Sequence, residues 1–268
     1  MIENTKFLDT FVEKIKLNMQ NFCFIHPDIA NKSDNVLYII KKIKRPDLLR
    51  YSSDNIRKNK EIVLIEISQR GESLAYASER LQDDKEVVLT AVSQNGEALR
   101  YASDKLKLDR QIVLTAVSNK GEALRFADDQ LKDDREIVVA AILKNVRAFE
   151  FASENLRNDV DIATIALNKS SIMLQYVGQN IKENKELISK TINKGGYALQ
   201  WCNETDRNDK LLVLDGIKQH ENYYKYIGES LKTEIGDNDP VKYLEMFILK
   251  EKLEKETPQK IEKVKHKI

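Results

Sequence analysis

One stretch of the chain, repeated at a fixed spacing, constrains the fold more than any other feature. Residues 84–109 read DKEVVLTAVSQNGEALRYASDKLKLD, and the pattern returns over residues 109–134 as DRQIVLTAVSNKGEALRFADDQLKDD, a shift of 25 residues. A constant period of about 20 to 50 residues is typical of solenoids. In these folds, units that cannot bury their own apolar faces stack on one another.

The register of this pattern holds without insertion or deletion through eight copies, called repeats 1 to 8. They begin at Asp34, Asn59, Asp84, Asp109, Asp134, Asp159, Asn184 and Asp209. Asp and Asn side chains accept hydrogen bonds from the free N–H groups at a helix start. Apolar residues three, four and eight positions later, such as Val87, Val88 and Val92, lie on one helix face. We therefore predict a first helix of about ten residues, ending near a glycine such as Gly96 in left-handed backbone.

The second half of each repeat predicts a shorter helix of about six to nine residues. In repeat 3 its apolar residues are Ala98, Leu99 and Ala102. It also carries an aromatic column, which we expect at the edge of the core, sealing neighbouring repeats. That column is Tyr51, Tyr76, Tyr101, Phe126, Phe151, Tyr176, Trp201 and Tyr226. The predicted fold class is all-α, an α-solenoid of eight two-helix 25-residue repeats with helical caps at both ends.

The segments outside the repeats are predicted to cover the apolar ends of the stack. Residues 1–33 should form an N-terminal capping helix and a linker, because apolar residues such as Leu8 and Val12 recur at helical spacing. Residues 34–233 form the eight-repeat solenoid. Residues 234–268 are predicted to form a C-terminal helix that stops at Thr257-Pro258, followed by a Lys-rich tail.

Composition argues against several functional classes. The 44 basic and 43 acidic residues give a formal net charge of +1, which disfavours nucleic-acid binding because that needs a basic footprint. The start of the chain does not resemble a secretory signal, and no apolar run approaches the ~18 residues of a membrane span. The two cysteines form no disulfide framework. We expect the cytoplasm or another reducing compartment, or the host cytoplasm if the protein is a secreted effector.

No arrangement of residues predicts chemistry. The chain has no Gly-rich phosphate loop, no nucleophile elbow and no metal-ligand spacing. Cys202 and His220 are the one conceivable nucleophile and base, but Cys202 occupies a small core position that is alanine in other repeats. We therefore expect no enzyme activity, no catalytic residues, no cofactor and no metal.

One surface column changes character along the chain. Glu72, Glu97 and Glu122 give way to Arg147, Ile172, Tyr197 and Asn222 at equivalent positions. Aromatic residues and arginine dominate the energetics of protein interfaces. We therefore predict a partner-binding site around Arg147, Ile172, Tyr197 and Tyr223. The alternative is that these residues simply meet the C-terminal helix.

The residues EVVLTAVSQNGEALRYASDKL resemble a family catalogued only as a domain of unknown function, whose repeats read roughly DxEVVLxAVxxNGxALxYAS. The resemblance is close over residues 59–157 and looser over 34–231. It implies tandem helical repeats in proteins of protists, giant viruses and intracellular bacteria, some of them secreted effectors, and it implies no activity. The predicted function is a non-enzymatic protein-binding scaffold. The alternatives are a structural subunit of a larger assembly, such as a virion or organellar complex, and an effector acting by protein binding.

Overall fold

A computed structural model describes residues 8–10, 12–13, 33–43 and 48–265, and these ranges contain no β-strand. The chain divides into two compact units, residues 1–153 and 154–268. Each unit is built from the predicted repeats, and the fold class is the predicted all-α solenoid. Most of the predicted N-terminal capping helix lies outside the described residues, but residues 8–10 and 12–13 are helical, with Leu8 and Val12 buried.

The first unit alternates long α-helices, 3₁₀ helices and four-residue α-helices. Its α-helices are α1 (Ser33–Ile43), α2 (Asp54–Arg57), α3 (Lys60–Gln69), α4 (Glu79–Gln82), α5 (Lys85–Gln94), α6 (Asp104–Lys107), α7 (Arg110–Asn119), α8 (Asp129–Lys132) and α9 (Arg135–Lys144). Its 3₁₀ helices are Leu48–Tyr51, Gly71–Tyr76, Gly96–Tyr101, Gly121–Phe126 and Val146–Phe151.

The second unit continues the same alternation and ends in one long helix. Its α-helices are α10 (Glu154–Arg157), α11 (Val160–Lys169), α12 (Gln179–Lys182), α13 (Lys185–Lys194), α14 (Glu204–Arg207), α15 (Lys210–Ile217), α16 (Glu229–Ile235) and α17 (Pro240–Lys265). Its 3₁₀ helices are Ser171–Gln175, Gly196–Trp201 and Glu221–Tyr226.

The first helix of the repeat forms as predicted. In repeat 3 the Asp84 side chain accepts hydrogen bonds from the backbone N–H groups of Glu86 (3.1 Å) and Val87 (3.2 Å). Helix α5 then runs for ten residues and buries Val87, Val88 and Val92. Satisfying N–H groups that the helix itself leaves free explains why every repeat from repeat 2 onward begins with Asp or Asn.

The second predicted helix is divided into two pieces, a 3₁₀ helix and a four-residue α-helix. In repeat 3 the break falls at Ala102, whose backbone is extended (φ −67°, ψ 154°). The next N–H group, that of Ser103, donates to the carbonyl of Gln82 in the preceding repeat, at 3.0 Å. Equivalent bonds link Ser78 to Arg57 and Gly178 to Arg157. The backbone leaves the helix at this point because it hydrogen-bonds to its neighbour.

The repeat glycines do not adopt left-handed backbone, so that prediction is wrong. Among the described residues the one glycine with positive φ is Gly236 (φ 57°). A Cβ atom placed on Gly96 would lie 2.3 Å from the backbone oxygen of Ala116 in the next repeat. Gly96 is therefore required for the close approach of two backbones, and Gly71 and Gly121 meet Ala91 and Ala141 in the same way.

The C-terminal helix packs against the last repeat, as predicted. Leu244 of α17 is fully buried, and Lys218 forms an ion pair with Glu245 at 2.6 Å. The helix does not stop at Thr257-Pro258 but continues to Lys265. A proline inside a helix removes one hydrogen bond. The Glu, Lys and Gln residues on both sides of Pro258 favour helix, and they carry α17 past it.

Candidate functional site

The column that contains the predicted site is ion-paired in the first unit. The Glu97 carboxylate lies 2.9 Å from the Lys120 ammonium and 3.0 Å from the Arg125 guanidinium. The hydrogen bond from Lys120 is the main reason that the pKa of Glu97 lies below its ordinary value. Arg125 also stacks over the ring of Phe126, 4.5 Å from its centroid. This surface is charged, and its charges are neutralised by neighbouring repeats.

In repeats 6 and 7 of the second unit, the positions that correspond to Glu97 and Arg125 carry no charge. Ile172 stands 75 positions after Glu97, three repeats on, and Gln200 stands 75 positions after Arg125. Both members of the ion pair have therefore been replaced together. Ile172 keeps 43% of its surface exposed. An exposed apolar residue has little desolvation cost to overcome when a partner covers it.

An aromatic cluster lies beside Gln200. The Tyr197 ring centroid is 5.1 Å from that of Trp201 and 5.3 Å from that of Tyr226, with the rings nearly perpendicular at 82° and 84°. The Tyr223 ring lies 6.2 Å away at 55°. Perpendicular packing places the positive edge of one ring against the negative face of the next. Ile172, Tyr197, Trp201, Tyr223 and Tyr226 are called the aromatic surface below.

The surroundings of Tyr197 act on its hydroxyl group as well as on its ring. Side-chain hydrogen bonds with Gln200 and then with Tyr226 lower the pKa of Tyr197 from its ordinary value. Tyr197 as a whole is 37% exposed. A tyrosine whose ring packs against neighbouring rings loses little conformational freedom when a partner binds, which is the property that makes such residues effective interface anchors.

The repeat scaffold fixes the 3₁₀ helix that carries Tyr197 and Trp201. The backbone N–H of Gly196 donates to the Gln219 side-chain oxygen at 2.9 Å, and the Gln219 amide donates to the carbonyl of Ile192 at 2.6 Å. A side chain of repeat 8 thus joins the two helices of repeat 7. In the first unit Asn119 makes the same two contacts, with Gly96 and Ser93.

The four residues predicted to bind a partner are distributed over both units. Arg147 is exposed on the 3₁₀ helix Val146–Phe151 of the first unit. Ile172, Tyr197 and half-buried Tyr223 belong to the second unit, on 3₁₀ helices of consecutive repeats, and Tyr197 and Tyr223 are in contact. Trp201 and Tyr226 also belong to the cluster. The sequence placed them in the aromatic column but did not predict this role.

The alternative is that this column meets the C-terminal helix, but α17 leaves 43% of Ile172 and 37% of Tyr197 exposed. Helix α17 instead contacts α15 and its surroundings. Lys210 of α15 lies over the Phe247 ring, 3.3 Å from its centroid, and Tyr243 donates a hydrogen bond to Glu234 at 2.9 Å.

Cys202 lies close to the aromatic surface but is not activated as a nucleophile. It is buried, and its Sγ atom lies 3.5 Å from the carbonyl of Ala198. Burial raises the pKa of the thiol to about 12, so the thiol stays protonated near neutral pH. In the part of the chain that the structure describes, no three His, Cys, Asp or Glu side chains are grouped so that they would hold a metal ion.

Comparison with known proteins identifies the repeats. A family model described as Domain of unknown function (DUF4116) matches residues 35–82, 84–132, 109–156, 134–182 and 184–232, which confirms the resemblance stated from the sequence. Neither the curated proteins nor the solved structures give a match. No helix within the described ranges has both the length and the apolar character needed to cross a membrane.

Proposed function

The chain belongs to the family Domain of unknown function (DUF4116), and we propose that it is a non-enzymatic scaffold that binds a protein partner. The observation that carries this proposal is the aromatic surface of the second unit, in which exposed Ile172 and Tyr197 stand in the column where the first unit has the ion-paired Glu97. Interfaces depend on a few large, rigid, part-buried aromatic anchors. Tyr197, Trp201 and Tyr223 have these properties.

The charge distribution supports a protein partner more than a nucleic acid. The net charge is +1, and several basic side chains of the first unit pair with acids of the next repeat, as Lys85 does with Asp109 at 2.8 Å and Arg110 with Asp134 at 2.9 Å. Cations that are already paired release few counterions from a phosphate backbone. The scaffold acts in the cytoplasm or another reducing compartment, where Cys202 stays a thiol.

The test uses Tyr197→Glu, because glutamate is the residue that the repeat itself carries at Glu72, Glu97 and Glu122. The scaffold should tolerate the change, whereas a partner that buries the ring would meet an uncompensated charge. Affinity capture from the native cell, followed by mass spectrometry, identifies the partner. Its affinity for the purified chain should fall at least about tenfold in the variant.

Leu211→Glu is the matched control. Leu211 is 58% exposed in the second unit, at the start of α15, where an acid suits the helix dipole. This variant should bind as wild type does. Equal binding by wild type and Tyr197→Glu, with both variants folded by circular dichroism, would reject the aromatic surface as the binding site.

A structural subunit of a larger assembly is the second candidate, favoured by helix α17. Met246 is 71% exposed and Leu249 is 58% exposed, three positions apart on one side of the helix. An apolar stripe of this kind is usual where a helix packs permanently against another subunit. Sedimentation of the purified chain distinguishes the two. Strong self-association of the wild-type chain that is lost in Met246→Lys would support the structural subunit. A monomeric wild-type chain would support the scaffold. An effector role would differ in the place of action and would use the same surface.

A further inference from the structure

Repeat 7 contains a carboxylate where every other repeat has an aliphatic residue. The corresponding residues are Ile56, Leu81, Leu106, Leu131, Leu156, Ile181 and Leu231, and repeat 7 has Asp206. Asp206 keeps 2% of its surface exposed, and its Oδ2 atom has no hydrogen-bond partner within the described part of the chain. The sequence shows this substitution directly, once the column is aligned.

The surroundings of Asp206 do not compensate for its burial. Its backbone N–H donates to the Asn203 side-chain oxygen at 2.7 Å, which caps α14. A hydrogen bond with the Asn203 side chain also favours the ionised carboxylate, but its effect is smaller than that of burial. The charged and titratable groups that face it are Lys185 at the start of α13, Asp209 before α15, and the buried thiol of Cys202. Lys185 favours the ionised form and Asp209 opposes it, with burial the largest effect. Together they raise the pKa of Asp206 above its ordinary value of 3.8.

In a second buried carboxylate, that of Glu66, hydrogen bonds offset the cost of burial. Glu66 in the first unit is 1% exposed, and the backbone N–H of Leu49 donates to both of its oxygens, at 3.1 Å and 3.0 Å. Hydrogen bonds of this kind offset the cost of removing a carboxylate from water. Asp206 Oδ2 lacks them.

The junction between repeats 6 and 7 also lacks an ion pair that joins repeats of the first unit. In the first unit the Lys85 ammonium pairs with Asp109, the first residue of the next repeat, at 2.8 Å. The corresponding residues here are Val160 and Asn184, which cannot form an ion pair. A groove of about 490 Å³ opens between α11 and α13, lined by Val160, Asn184 and Lys194 among others.

We propose that repeat 7 is an acid-stabilised module, which protonation of Asp206 holds closed and which its ionisation predisposes to open locally around Trp201 and Cys202. Local opening needs far less energy than global unfolding, and it occurs first where packing is least satisfied. Tyr197 and Trp201 belong to repeat 7, so its opening disrupts the aromatic surface. This last consequence alone depends on the proposed function.

The direction of the pH effect follows from linkage. Below about pH 3.8 the carboxyl is protonated in both the folded and the unfolded chain, so Asp206 carries no charge penalty. As pH rises through this value, the unfolded chain ionises while the folded chain keeps its proton. The folded state therefore loses relative stability until the pH passes the raised value of the folded protein, and the penalty is constant above it.

Thiol reactivity of Cys202 measures this opening. The full chain carries two cysteines, so the Cys23→Ser background leaves Cys202 as the sole thiol. Its reaction with dithiodipyridine is followed from about pH 4 to about pH 8, relative to the same chain unfolded in urea. The ratio of the two rates gives the degree of protection by the folded structure.

The decisive quantity is the protection of Asp206→Leu divided by that of wild type at each pH. We expect this ratio to be constant at acidic pH, where Asp206 is protonated, and to rise by about tenfold or more towards neutral pH. Leucine already occupies this position in other repeats, so the variant should fold. Asp206→Asn removes the titration but keeps a polar group, and its ratio to wild type should also rise with pH.

Glu221→Gln is the matched control, because it neutralises an exposed acid of the same unit and should keep the wild-type pH profile. A ratio independent of pH in both Asp206 variants would overturn the proposal. So would protection in Asp206→Leu at neutral pH that is no greater than in wild type. Neither measurement uses a partner, so the proposal can fail without affecting the proposed function.

Discussion

The 3₁₀ helices of the two units share one backbone design but present opposite surfaces. In repeats 3 and 4 of the first unit, Glu97 pairs with Lys120 and Arg125, and Arg100 and Arg125 lie over the aromatic rings. In repeats 6 and 7 of the second unit, Ile172 and Gln200 replace the acid and the arginine, and Tyr197 stands beside Trp201. Two buried positions beside this surface column are unchanged between the units. Ala98 and Leu99 correspond to Ala198 and Leu199, all four fully buried.

This difference separates the residues that build the repeat from those that give it a function. Columns that touch the neighbouring repeat tolerate little change, because protein interiors are close-packed. The surface column next to the glycine has no such restriction, so it can carry a charged pair in one unit and an aromatic anchor in the other. Recognition is expected where the repeats differ, and stability where they agree.

The largest expected effect tests what the two units share. A Cβ atom in Gly96→Ala would lie 2.3 Å from the Ala116 backbone oxygen, and in Gly196→Ala it would lie 2.4 Å from the Gly216 oxygen. Because a backbone carbonyl cannot move without its helix, each variant should lose about 3 kcal/mol of unfolding free energy, measured in urea. Gly195→Ala is the control, since its nearest neighbour is the rotatable side chain of Ser171. A loss of unfolding free energy in Gly96→Ala without one in Gly196→Ala would show that the close backbone contact is required in the first unit only.

An intermediate effect is expected when the surface of the second unit is changed to that of the first. Ile172→Glu combined with Gln200→Arg recreates the Glu97–Arg125 pair in its natural register. Partner affinity should fall by about tenfold, because the new charges must be desolvated, while the urea midpoint should not change appreciably. Leu211→Glu combined with Asn180→Arg adds the same charges elsewhere in the second unit and should bind normally. Unchanged binding by the first double variant would mean that the partner does not depend on uncharged residues at positions 172 and 200.

The smallest effect concerns the ion pair of the first unit. Glu97→Gln should lower the unfolding free energy at pH 7 by about 0.5 kcal/mol, because part-exposed ion pairs contribute little. The pKa of Glu97 is lowered in the folded protein, so its contribution is present above about pH 4.5 and is lost as pH falls through the lower folded value. Urea unfolding at pH 7 and at about pH 3 measures this. Glu122→Gln removes another acid of the same column and is the control for the loss of one charge at pH 7. A larger loss at the acidic pH would contradict the assignment.

Much of the candidate site was visible in the sequence, because repeats act as internal references for one another. Ile172 and Tyr197 stand out where their equivalents are glutamate, and both proved exposed. The grouping of Tyr197 with Trp201 and Tyr226 was not predicted, since ring contacts depend on how consecutive 3₁₀ helices pack. The orphan oxygen of Asp206 was equally hidden, because hydrogen-bond partners are set by residues distant in the chain.

The sequence by itself determined the repeat, the start of each long helix and the fold class. These features depend on interactions within a few residues, such as Asp84 with the N–H groups of Glu86 and Val87. Tertiary structure alone decided why Gly96 is glycine and why the second helix breaks at Ala102. The Ala116 oxygen leaves no room for a side chain at Gly96, and the Gln82 carbonyl accepts the hydrogen bond that follows the break. Both atoms lie about twenty residues away in neighbouring repeats, so a pattern of nearby residues does not predict these contacts.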